Sequence, residues 1–128
     1  MAKKKPILSD AAPAPVASYS QAVKAGKFLF CSGQIGLEPK SGALVTGGIA
    51  AETERVLENL RAVLAAAGAD FGDVLKCTVF LVDLADFETM NGIYSKYFDE
   101  VPPARSTVQV VALPRGARVE IEAIALVS

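Results

Sequence analysis

The chain has 128 residues, 52% of them hydrophobic, a formal net charge of −1 and a pI near 5.4. That length fits one domain, and the apolar share fills a core with a surplus that favours an oligomer. The charge balance excludes a nucleic-acid binder that works through a basic face.

Residues 1–15 hold three prolines and the cluster Lys3, Lys4, Lys5, and they read as a flexible lead-in to a single domain over 16–128. Ser18–Val23 and Lys27–Gly33 alternate like two strands, with Ala25-Gly26 as the tight turn between them. Gly36, Pro39 and Gly42 make Gln34–Val45 a second hairpin with a loose loop. From Ile49 to Ala67 the period changes to that of a helix. Val56, Leu57, Leu60, Val63 and Leu64 form its apolar stripe, and Glu52, Arg55, Glu58 and Arg61 are expected to face away. Gly68 is its natural stop.

Val74–Val82 is almost continuously apolar, as in a strand buried on both faces. A second helix is expected from Ala85 to Phe98, with Phe87, Met90, Tyr94 and Tyr97 on one stripe, ended by Pro102-Pro103. Arg105–Val111 and Arg118–Val127 complete the strands. The element order predicts an α+β fold, a mixed sheet with both helices on one face.

The chemistry-bearing residues are sparse. With no histidine in the sequence, Ser-His and Cys-His dyads, HExxH metal sites and most zinc geometries drop out. Cys31 and Cys77 lie in apolar strand-like runs and read as buried thiols without metal-ligand spacing. No metal and no cofactor is expected. No apolar run is long enough for a membrane span, and none resembles a signal-peptide core, so a cytoplasmic protein is expected. Lys96, Arg115 and Arg118 read as solvated charges. What remains is Arg105, whose planar fork of donors fits a carboxylate, and Glu120 and Glu122, two apart on one strand face. An arginine with a glutamate nearby points to a carboxylate-bearing small molecule with water chemistry beside it.

One geometric constraint follows. If the last two strands paired as a hairpin around Pro114–Ala117, Glu120 would oppose Val111. Arg105 would then lie about 20 Å further along the strand. One small substrate would not touch both, so either these strands are unpaired or the two residues come from different subunits.

Several blocks stand in a recognisable order: Tyr19-x-Gln21, Phe30-Cys31-Ser32-Gly33-Gln34-Ile35, Lys76 through Leu84, Phe87-x-x-Met90-Asn91, Pro103-Ala104-Arg105-Ser106, Leu113-Pro114 and Val119-Glu120-Ile121-Glu122. Together they resemble the YjgF/UK-type family, the Rid proteins, over roughly residues 12–127. The resemblance implies a chorismate-mutase-like fold assembled as a homotrimer with sites between subunits. It implies hydrolytic deamination of 2-iminobutanoate and 2-iminopropanoate, with Arg105 on the substrate carboxylate and Glu120 on the water. Tyr19, Ser32 and Gly33 would be pocket walls and backbone donors, Asn91 a pocket-side polar group, and the Thr107 backbone a further donor. Thr107 stands where many members carry a reactive cysteine, so thiol behaviour is not expected. A binding module for 2-keto acids without turnover, and an RNA-cleaving protein, are the alternatives. An ionised Glu120 beside an arginine would keep activity flat towards acid pH.

Overall fold

The computed structural model describes residues 3–128. Six strands form one sheet in the order β1-β2-β3-β6-β4-β5. These are β1 (Lys5–Ile7), β2 (Ala22–Ala25), β3 (Phe28–Gln34), β4 (Val74–Leu81), β5 (Ala104–Gln109) and β6 (Val119–Leu126). All neighbours are antiparallel except β4 and β5, which run parallel. The parallel pair needs a crossover, and helix α2 (Phe87–Tyr94), flanked by short 3₁₀ turns, supplies it. The expected α+β fold with a mixed sheet and two helices is therefore present.

Helix α1 (Gly48–Ala66) presents Val56, Leu57, Leu60, Val63 and Leu64 to the sheet, all fully buried. They meet the alternate residues Leu29 of β3, Cys77, Val79 and Leu81 of β4, and Val119, Ile121 and Ala125 of β6. The helix ends as Gly68 predicts. Gly68 has φ +74°, its N–H donates to the Ala65 carbonyl, and the Ala69 N–H donates to the Leu64 carbonyl at 2.9 Å, the paired bonds of a Schellman stop.

Three readings of the sequence change. The lead-in is tied down: β1 pairs with β2, and the buried Gln21 amide accepts from the Ser9 N–H at 2.6 Å and donates to the Ser9 and Pro13 carbonyls. Glu52 does not face away. Its carboxylate is fully buried, accepting the Arg118 backbone N–H at 2.8 Å and lying 3.3 Å from the Arg118 guanidinium. The spacing 52, 56, 60 puts it on the apolar stripe, and a carboxylate there is tolerable only with such partners. Strand β4 is buried on one face only, since Lys76 is exposed and Thr78 and Phe80 are half-buried. Of the two alternatives left open for the last strands, β5 and β6 are unpaired, because β4 lies between them.

Candidate active site

The two residues that carry the expected chemistry sit on opposite faces of the sheet. Arg105 is in register with Cys77, a residue buried beneath the helices. Its Nη1 donates to Asn91 Oδ1 on α2 at 2.7 Å. Glu120 lies between Val119 and Ile121, both buried against the helices, so its side chain leaves from the other face. In register Glu120 pairs with Phe80, three residues beyond Cys77. Two strand spacings and three residues of rise separate the Cα atoms by roughly 14 Å. The expected site is therefore two half-sites within one chain.

The first half-site is built on α2 and the edge strand β5. The Arg105 guanidinium lies over the Tyr94 ring, 4.7 Å from its centroid, and over the Phe87 ring at 5.4 Å. A hollow of about 430 Å³ opens beside it, lined by Asn91, Tyr94, Phe98 and Pro103 among others. Among the described residues the only ion pairs are Arg61–Glu58 and Arg118–Glu52, so this half-buried cation has no carboxylate partner. Thr107, two residues along the same strand face, has a buried hydroxyl with no hydrogen-bond partner. The Cys77 thiol lies near Tyr94 and Arg105, and burial pushes it up. Cys31 is pushed up to about 12, by burial first and then by Cys77, which leaves both as inert thiols.

The second half-site lies where β3 loses register with β6 between Cys31 and Gln34. Ser32 and Gly33 occupy that irregularity, and the Glu120 carboxylate packs onto Gly33. A Cβ there would collide with Glu120 Oε2, so only glycine admits this side chain. Ser32 is partnered already: its Oγ donates to the Ser20 carbonyl at 2.6 Å and its N–H to the Gln21 carbonyl. Tyr19, half-exposed, lines the same cleft of about 600 Å³ as Ser32, Gly33 and Glu120. Pro13 of the pinned lead-in, with Val16 and Ala17 just after it, forms one wall, and Pro114 and Arg115 another.

Arg115 is not simply solvated. It is the one non-glycine residue with positive φ (61°) among those described, and its Nη2 reaches the Gly42 carbonyl at 2.8 Å, bridging two loops that line the cleft. Burial raises the Glu120 carboxyl above its ordinary range, and neighbouring Glu122 adds to this. No arginine offsets it within the chain, so the single chain lacks the contact on which the expectation of a Glu120 ionised far into the acid range rests.

The structure thus brings Arg105, Asn91 and Thr107 together on one face, and Tyr19, Ser32, Gly33 and Glu120 on the other. Sequence reading missed Phe87 and Tyr94 as partners of Arg105, although positions 87, 91 and 94 share a helix face. It also missed Gln21, which holds one wall of the cleft from inside, and Glu52, which ties α1 to Arg118.

A mixed sheet covered by helices on one face, with a cleft at a strand irregularity, defines a small α+β domain class that comparison resolves. Residues 9–127 match the family described as endoribonuclease L-PSP. Protein DfrA of Myxococcus xanthus is 56% identical over 125 residues, covering 96% of this chain and 95% of that protein. The 2-iminobutanoate/2-iminopropanoate deaminase of Mus musculus is 52% identical over 123 residues, covering 96% of this chain and 91% of that one. The crystal structure of RidA from an Antarctic Psychrobacter superposes with a TM-score of 0.93 at 45% identity, covering 96% of this chain and 99% of that chain. The chain belongs to the YjgF/RidA family. Among the described residues, no helix is long and apolar enough to cross a membrane.

Proposed function

We propose that the protein is a hydrolytic deaminase of small 2-imino acids, 2-iminobutanoate and 2-iminopropanoate, working as a homotrimer whose sites form between chains. The observation that carries this reading is the lone Arg105 guanidinium, half-buried, braced and without a counter-charge. A buried cation of this kind lacks only an anion, and a planar carboxylate fits its fork with two parallel bonds.

Arg105 would hold the carboxylate of the imino acid. Glu120 would accept a proton from a water as that water adds to the C=N carbon. That proton would pass to nitrogen to give the carbinolamine. The carbinol hydroxyl proton would follow it to nitrogen as the C–N bond breaks and the C=O bond forms, leaving a 2-keto acid and ammonia. A carboxyl raised towards neutral pH is a better proton acceptor than an ordinary one. The uncatalysed reaction already proceeds, so positioning and proton transfer need supply only about 10²–10⁴-fold.

Opposite sheet faces keep Arg105 and Glu120 of one chain apart, and that separation supports sites shared between chains. So does the uncovered sheet face. Phe28, Phe30, Val108 and Leu126 there are each more than two-fifths exposed, an apolar surface suited to burial against further copies. The test is a coupled assay. A threonine dehydratase generates the imine, and keto-acid release is followed with and without this protein, after subtraction of the spontaneous rate. Accelerated release supports the reading. Pyruvate or 2-ketobutyrate binding without acceleration makes the protein a keto-acid binder instead. Cleavage of RNA by rigorously purified protein would move it to the activity in the family's description.

A further inference from the structure

An arginine on an edge strand ordinarily extends its head into water and keeps only its stem on the protein. Arg105 does the reverse. Its head turns inward onto one face of α2, where positions 87, 91 and 94 stand one above the other. The guanidinium carbon lies over the Tyr94 and Phe87 rings, and Asn91 takes an N–H of Nη1. Ring faces attract a cation without consuming its N–H groups, which all lie in the guanidinium plane. The remaining N–H groups stay free for the hollow beside them. The Tyr94 hydroxyl, buried beside the Cys77 thiol and Arg105, makes no hydrogen bond of regular geometry. Its ring is the functional part.

We propose that Phe87 and Tyr94 are positioning residues that set the plane of the Arg105 fork, and so give the site its preference for a carboxylate over an uncharged group of the same shape. This rests on the reading of Arg105 as the carboxylate holder. The cost of ordering a long, flexible side chain is met when the protein folds rather than when the ligand binds. Removing one ring frees the fork to rotate, and the charge that remains no longer presents two parallel bonds.

The experiment compares pyruvate with pyruvamide, its uncharged amide, by calorimetric titration of the full chain. Wild type is expected to favour pyruvate. Tyr94→Leu and Phe87→Leu are each expected to weaken pyruvate by about tenfold, the order of a desolvated cation–π contact, while pyruvamide changes by less than about twofold. Tyr94→Phe keeps the ring and is expected to retain the wild-type ratio. Phe87 is less buried than Tyr94, so Phe87→Leu provides the measurement should Tyr94→Leu fail to fold. Equal weakening of both ligands would overturn the proposal, because it would mean general loosening of the hollow. Unchanged binding in Phe87→Leu and Tyr94→Leu would also overturn it. A wild type without preference, or an Arg105→Ala variant that keeps it, would remove the carboxylate reading itself and the proposal with it. Loss in Arg105→Ala without loss in the ring variants would sink the proposal alone.

Discussion

The two faces of the sheet are built to different rules. On the helix face every alternate residue of β4 and β6 is apolar and closed from water, and a cation at its margin, Arg105, is braced by α2. On the other face apolar residues stand open, interrupted by Lys76, Glu120 and Glu122. The first face is finished within the chain. The second has features of a surface awaiting a partner: charge embedded in apolar area, and a carboxyl raised by burial that no cation of the chain offsets. On the proposed reading, groups divided in this way would make function depend on assembly, whereas the fold would not.

The sharpest break in this contrast is Arg105→Ala. Deaminase activity is expected to fall at least about a hundredfold with the circular dichroism spectrum unchanged, and Arg105→Lys to fall nearly as far because a point charge does not replace the fork. Retained activity in either folded variant would take Arg105 out of the chemistry. Mixing Arg105→Ala with Glu120→Ala chains asks whether the faces meet across an interface. With random exchange in a cyclic trimer, about a quarter of sites receive both intact residues, and activity should return to that fraction. No return after exchange proven by mass spectrometry would place both groups in one chain.

Gly33→Ala tests the fit of the open-face carboxyl. The added methyl displaces Glu120, so kcat is expected to drop by about ten- to a hundredfold while pyruvate still binds. Smaller still is the effect of pH. Because folding raises the Glu120 carboxyl above 4.5, its ionised form is disfavoured in the fold. Stability from this group is full below 4.5 and declines as pH rises through the raised value. Glu120→Gln removes that decline, so its melting temperature at neutral pH should be no lower than wild type. The acid limb of kcat/KM should lie above 4.5 and vanish in Glu120→Gln. A limb below 4.5 would mean that another chain's Arg105 outweighs burial. On the finished face, Glu52→Gln should cost about 1–3 kcal/mol by chemical denaturation, through weakened bonds to Arg118, with little change in turnover.

The helices were legible from their 3.6-residue stripes, though α2 is shorter than Ala85–Phe98, and β3 to β6 from alternation and turn residues. By contrast β1 was not read, β2 starts at Ala22 rather than Ser18, and the expected hairpin over Gln34–Val45 is a single bridge, Leu37 to Leu44. The order of the strands was not legible, because the placement of β6 between β3 and β4 is decided by long-range packing that leaves no local mark. Glu52 was misread because charge was taken as a sign of exposure, though its spacing marked the core. The site divided similarly. Arg105 and Glu120 stood out as charges in apolar strands, and the resemblance gave them roles. Their opposite faces depend on register across three strands, which composition and spacing do not encode. Phe87 and Tyr94 were read correctly as stripe residues, but core packing and cation bracing share one pattern.

One consequence of the Gln21 contacts concerns opening rather than shape. The wall of the open-face cleft is fastened chiefly by the three bonds of a single buried side-chain amide, not by a ladder of backbone pairs. Such a segment is a separate unit of local unfolding, able to lift while the sheet behind it stays closed. In hydrogen exchange the Ser9 amide should be protected far beyond a loop's norm. It should lose that protection in Gln21→Ala while the amides of β3 and β6 keep theirs, and a ligand that fills the cleft should slow its exchange further.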